Sequence, residues 1–112
     1  MKLPNKVIIP DSKISNYLLI HREEDDKSKF LAQAGFTQAN PEQLKIAIIE
    51  LITNYEAIED RSNQYGIFYQ VKGELKGVNN HNLAVITVWL KRKNDNQIQF
   101  ITLKPNKEKK QP

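Results

Sequence analysis

Residues 86–105, ITVWLKRKNDNQIQFITLKP, hold two apolar runs around a polar turn, and their reading decides the fold. Centring the turn on Asp95-Asn96 pairs Val88 with Leu103 and Leu90 with Ile101 on one side. The other side then pairs Trp89 with Thr102, Thr87 with Lys104 and Lys91 with Phe100. A slip of one residue would mix the two sets, so the alternation itself specifies this register. The first set, extended to Ile86, reads as the core side. The second is either covered by a partner or open to solvent as a binding or catalytic face.

Working outward, LAVITVWLKR is apolar on both sides, as an interior strand covered on both faces would be. Upstream, IFYQVKGEL alternates Ile67, Tyr69 and Val71 against Phe68 and Gln70, and EAIEDR reads as a weaker strand. The loop KGVNNHN between the second and third strands carries Gly77 and Asn80 as turn residues. Before Tyr55 the period is helical. Asn40, Pro41 and Gln43 predict a capped start, and Leu44, Ala47, Ile48, Leu51, Ile52 and Tyr55 form an apolar stripe. KSKFLAQAGF predicts a shorter helix, started near Asp25 or Asp26, that buries Phe30, Leu31 and Ala34. Gly35 is its stop and Phe36 folds back onto the last turn. A first helix follows Pro10, with Asp11 or Ser12 as its cap and Ile14, Tyr17, Leu18 and His21 on one face. The expectation is an α+β domain, with three N-terminal helices packed on one face of a four-stranded antiparallel sheet.

The chain of 112 residues suits a single domain over 1–105, followed by a lysine-rich flexible tail over 106–112. Without cysteine, disulfide scaffolds, thiolate metal sites and cysteine nucleophiles are excluded. No apolar run approaches the roughly 18 residues of a membrane span. MKLPNKVIIP is too short and too interrupted by proline for a signal peptide, which points to a cytoplasmic bacterial protein. The 17 Lys and Arg against 13 acids give a net charge of +4, compatible with a polyanionic partner without demanding one.

Familiar catalytic signatures are sparse. There is no glycine-rich phosphate loop, no zinc-protease motif and no calcium loop, and no cofactor is expected. The acidic run Glu23 to Asp26 suits a helix start, and no metal site is assigned to it. Of two histidines, His21 on the apolar edge of the first helix is either a packed boundary residue or a general base. His81 reads as an exposed loop residue. Lys27 and Lys29 oppose the dipole of the second helix, which hints at another use. Arg61 falls on the first strand against either sheet face. Trp89 and Phe100 beside Lys91 and Lys104 form a tentative binding face. Aromatic surface beside lysines suits single-stranded RNA, and the same Trp89 equally suits a covered interface.

Several stretches carry a resemblance: MKLPN at the start, YLL at 17–19, KSKFLAQAGF at 27–36, YG at 65–66, and ITVWL followed by FITLKP. They resemble an uncharacterised family of small bacterial proteins with an LPN start, a K-S-K-F…G-F segment and a threonine-valine-tryptophan strand. The order of elements is also similar to the toxin-nuclease superfold of barnase, EndoU, the colicin nucleases and RelE. That resemblance implies metal-free RNA cleavage from the sheet face and the preceding helices. Carried residue by residue, it points to His21, Lys27, Thr87 and Thr102 as the catalytic set, with Trp89 beside them. Besides a nucleic-acid-binding domain without chemistry, two functions are expected. One is a toxin- or immunity-type interaction protein that binds a protein partner or itself through the sheet face. The other is a metal-independent ribonuclease.

Overall fold

The computed structural model of the protein describes residues 1–4, 6–19 and 27–107. Pro10, extended at φ −62° and ψ 135°, leads into a short helix, α1 (Asp11–Lys13), which widens into a π-helical turn over Ile14–Leu18. Ile14 and Leu18 are buried there, as their spacing predicts. The far end of that expected helix, with His21, lies outside the described residues, as does the acidic run 23–26.

α2 (Ser28–Ala32) is brief, and its exit follows the glycine rule. Gly35 adopts φ 87°; its N–H donates to Ala32 O, and Phe36 N–H reaches back to Leu31 O at 3.2 Å. This pair of bonds is the Schellman arrangement, and its apolar clasp is Phe36 with Leu31, both fully buried. α3 (Pro41–Asn54) starts on Pro41, whose missing N–H costs nothing in the first turn. Its stripe of Leu44, Ala47, Ile48, Leu51 and Ile52 is buried. The expected capping box does not form. Asn40 turns backwards, accepting from Thr37 N at 2.8 Å and donating to Gly35 O at 2.9 Å.

Four strands follow: β1 (Ala57–Asn63), β2 (Gly66–Leu75), β3 (Leu83–Arg92) and β4 (Ile98–Pro105). They pair antiparallel in the order β1-β2-β3-β4. Three helices and this meander make the chain an α+β protein. Tyr55 leaves α3 in extended conformation, and its ring lies where a Cβ on Gly73 would be, so β2 needs glycine there for the helix exit to approach.

The closing hairpin corrects the expected register. Its loop is Lys93–Asn96, four residues instead of two, with Asn96 at φ 58°; Trp89 thereby pairs Phe100 and Lys91 pairs Ile98. A bulge then shifts the pairing, so that Val88 faces Thr102 and Thr87 faces Leu103. The core side is therefore Val85, Thr87, Trp89, Ile98, Phe100 and Leu103, all buried. Val88, Leu90 and Ile101, expected in the core, are only half-buried on the second face, and Ile86 sits there too at 9% exposure. The physical reason is the bulge at Ile101, which lets Phe100 and Leu103 point the same way although they are three apart.

On the core side Trp89 meets Phe100 edge to face, with ring centroids 5.3 Å apart. Its indole N–H donates to Thr87 Oγ1 at 2.8 Å, and that hydroxyl donates to Val71 O at 3.1 Å. The buried Thr87 hydroxyl is thus satisfied in both roles, as burial requires. Tyr69, Val71 and Leu75 of β2 share this face by register and join the stripe of α3 in one apolar cluster.

Both sheet edges are guarded. Beside β4, Ile8 N donates to Ile98 O and Phe100 N donates to Ile8 O, each at 2.8 Å, a parallel bridge. At the other edge Ala57 N donates to Met1 O at 2.6 Å. Beyond that point β1 carries a bulge between Glu59 and Arg61 and exposed charges, which discourage pairing with another chain. Beyond β4, Asn106 N donates to Ala84 O; the rest of the expected tail, from residue 108, lies outside the described residues. Among the described residues no helix is long and apolar enough to cross a membrane.

Candidate functional site

The second face of the sheet is set by strand alternation. Registers align Ile58, Gln70, Val88 and Thr102 in one row, and Arg61, Phe68, Leu90 and Gln99 in the next. Toward the other end Lys72 pairs Ile86, which pairs Lys104. Ile58 is 62% exposed, and Phe68, Val88 and Leu90 are half-buried, so an apolar band crosses β1, β2 and β3. Isolated exposed apolar residues need no explanation, whereas a contiguous band on one face does.

Cations frame the band. The Arg61 guanidinium stands over the Phe68 ring, 4.9 Å from its centroid, and Lys72 and Lys104 are exposed. Lys27, at the start of α2, donates through Nζ to Thr102 Oγ1 at 2.9 Å and is half-buried. Glu74 is placed on the same side by alternation, and exposed Asp60 stands beside Arg61 at the bulge of β1. At the hairpin end Arg92 is occupied: it grips Asp95 through Nε and a terminal nitrogen at 3.1 and 2.6 Å. That guanidinium, helped by the Gln97 N–H, holds the Asp95 carboxyl below the ordinary carboxylate range.

The residues singled out from the sequence divide. Lys27 meets Thr102 on the second face, and Lys104 stands on the same side of β4 as Thr102. Thr87, Trp89 and Phe100 are fully buried on the core side, so the side expected to be open around Trp89 is closed to a ligand. Lys91 lies on the core side by register, but at the open hairpin end, and is half-buried. His21 lies outside the described residues. His81 is exposed in the loop before β3. Sequence reasoning missed Phe68 and Leu90 as surface residues. The signal for Phe68 was its alternation against Tyr69 and Val71, while Leu90 could not be placed without the bulge.

Among the described residues no cluster of His, Asp and Glu could hold a metal ion. Chemically, the second face offers an apolar centre, a cation–π pair, and lysines able to neutralise an anionic rim or phosphate.

Comparison with curated proteins gives no match. Among solved structures, the fold is similar to a chain of a contact-dependent growth inhibition toxin–immunity protein complex from Klebsiella pneumoniae 342. The two share 16% identity at a TM-score of 0.59, over 89% of this chain and 93% of that one. A family model matches residues 2–107, nearly the whole chain, and the chain therefore belongs to the family described as a domain of unknown function (DUF6883).

Proposed function

We propose that the protein is a toxin- or immunity-type component, working in the cytoplasm, that docks a protein partner through the second face of its sheet. The observation that carries this reading is the apolar band of Ile58, Phe68, Val88 and Leu90 framed by Arg61, Lys72 and Lys104. The stripe of α3 joins the core side, while Ile58 stays 62% exposed on the second face, so that part of the face is open to a partner. A band of aliphatic residues around one aromatic, with charges at the margin, has the layout of an interface centre and rim. The similar fold in a toxin–immunity complex supports the class of component. A partner seated here gains apolar contact from Phe68 and Leu90 and orientation from the cations.

The test is a pair of charge insertions, Phe68→Glu and Leu90→Glu, in the full chain. Sedimentation at micromolar concentration separates self-association from binding to another protein. A dimer reduced to monomer by either substitution identifies a second copy as the partner. A monomer whose cross-linked partners are lost in both variants identifies a separate protein. Partner recovery unchanged in both variants sinks the reading.

A second reading, a metal-independent ribonuclease, is favoured by one contact: Lys27 Nζ on Thr102 Oγ1, two residues of the expected catalytic set held 2.9 Å apart. In that chemistry a base takes the 2′-hydroxyl proton and a cation stabilises the charge on the phosphorane. Lys27 supplies the cation, and His21, six positions earlier in the chain, is the base of this proposal. RNA cleavage in EDTA is then expected to fall by about 10²–10⁴-fold in His21→Ala and by about 10²–10³-fold in Lys27→Ala. Absence of cleavage by the unmodified protein across several RNA classes removes this reading and leaves the first.

A further inference from the structure

The tips of the two outer hairpins frame an open cleft of about 320 Å³, whose lining includes Asn63, Ile67, Lys91, Arg92, Lys93 and Asn96. It lies at the open end of the core side, where the row Ser62, Ile67, Lys91 and Ile98 follows the row of Trp89. Three consecutive cations contribute to it and no carboxylate lines it. Arg92 is spoken for, bonded to Asp95, Gln97 and Gln99. Lys91 and Lys93 have no acidic partner among the described residues. Two ammonium groups without an acidic partner among the described residues, two positions apart and one of them half-buried, leave a local charge that an anion would relieve.

The remaining lining narrows the anion. Asn63 spends its Oδ1 on Tyr65 N at 2.8 Å, which leaves its amide nitrogen as a donor. Asn96 adds a second carboxamide from the other hairpin. Ile67, packed against the core, supplies an apolar surface for a ligand body. The walls are fixed in advance. Lys93 N donates to Tyr65 O at 2.9 Å, and Gly66 at φ 146° brings its hairpin so close that a Cβ would fall on the Lys91 carbonyl oxygen. Such a tied pair of tips orders little on binding.

We infer that this cleft binds the phosphate group of a small phosphomonoester, with Lys91 and Lys93 as counter-charges, the Asn63 and Asn96 amides as donors, and Ile67 beneath the ligand body. A dianionic, multi-acceptor head matches two ammonium groups and two amides better than a single carboxylate does. The site is separate from the docking face, since Lys91 and Val88 stand on opposite sides of β3, and it does not depend on that reading.

The test follows side-chain and backbone amides by NMR in the ¹⁵N-labelled full chain, at constant ionic strength set by chloride. The probes are inorganic phosphate, a 5′-mononucleotide, and a short oligoribonucleotide lacking terminal phosphates. The Asn63 and Asn96 side-chain amides and the Ile67 and Lys93 backbone amides are expected to shift with phosphate and more strongly with the mononucleotide. In Lys91→Gln/Lys93→Gln, shown folded by its own spectrum, the Kd is expected to rise by about tenfold or more. Equal shifts with chloride alone, an unchanged Kd in the double variant, or a response confined to the oligoribonucleotide would each overturn the assignment.

Discussion

Trp89→Ala is expected to lower the free energy of unfolding by about 3–5 kcal/mol, the range for deleting a large buried aromatic. Trp89 is fully buried at the centre of the core side and sits edge-on to Phe100. Truncation opens a space that β3 and β4 cannot close without disturbing their ladder. It also removes the indole donor from Thr87, whose hydroxyl is already committed to the Val71 carbonyl. Against a total stability of about 5–15 kcal/mol for a domain of this size, that is a large share. Trp89→Phe keeps most of the packing and loses the indole hydrogen bond, so about 1–2 kcal/mol is expected. Urea unfolding followed by circular dichroism measures both, provided the slope with denaturant is unchanged. A Trp89→Ala variant within about 1 kcal/mol of the parent is incompatible with a core tryptophan. That result would return Trp89 to the surface and to the partner.

The second large effect is expected at Gly66→Ala, at about 2–5 kcal/mol. One part is backbone strain, because φ 146° is a region that side-chain-bearing residues rarely adopt. The other is overlap with the Lys91 carbonyl, a backbone group that cannot rotate away. Relief requires the first hairpin to lift from β3, which also breaks the bond from Lys93 N to Tyr65 O. Hydrogen exchange at Lys93 should therefore accelerate by more than the global loss of stability explains. Unaltered stability and unaltered exchange in this variant would mean that the hairpin tips do not touch as described.

Much of the fold was legible because local and long-range demands agree along most of the chain. The stripe of α3, the proline at its start, the Gly35 stop with Phe36 folded back, and the limits of β3 all follow from periodicity and turn chemistry. What could not be read was which side of the last hairpin faces inward. Trp89 and Phe100 do share a side, as alternation requires, yet alternation alone does not say that this side is the inner one. Val88, Leu90, Ile101 and Leu103 make an equally apolar set, and only the longer turn and the bulge at Ile101 decide between them. A bulge leaves no mark in hydrophobic periodicity beyond a local break, and ITL offers none. The candidate site suffered the same inversion. Thr102 and Lys104 share one side of β4, but their neighbours across β3 are Val88 and Ile86, not Trp89 and Thr87. Lys27 meeting Thr102 depends on where α2 settles beside β4, a placement no local pattern encodes.

The bridge between Ile8 and the outer edge of β4 has a consequence for how the chain is made. Ile8 and Ile98 stand 90 positions apart, so Ile8 must wait until Ile98 has also been synthesised. Helices and the first hairpins form from near neighbours, whereas this closure has a long loop to gather and so comes late. Until then β4's edge stays open, and a nascent or newly released chain presents a bare strand able to pair with a like chain. Slowed translation or a crowded synthesis would thus favour strand exchange between copies at this seam before any other part of the molecule.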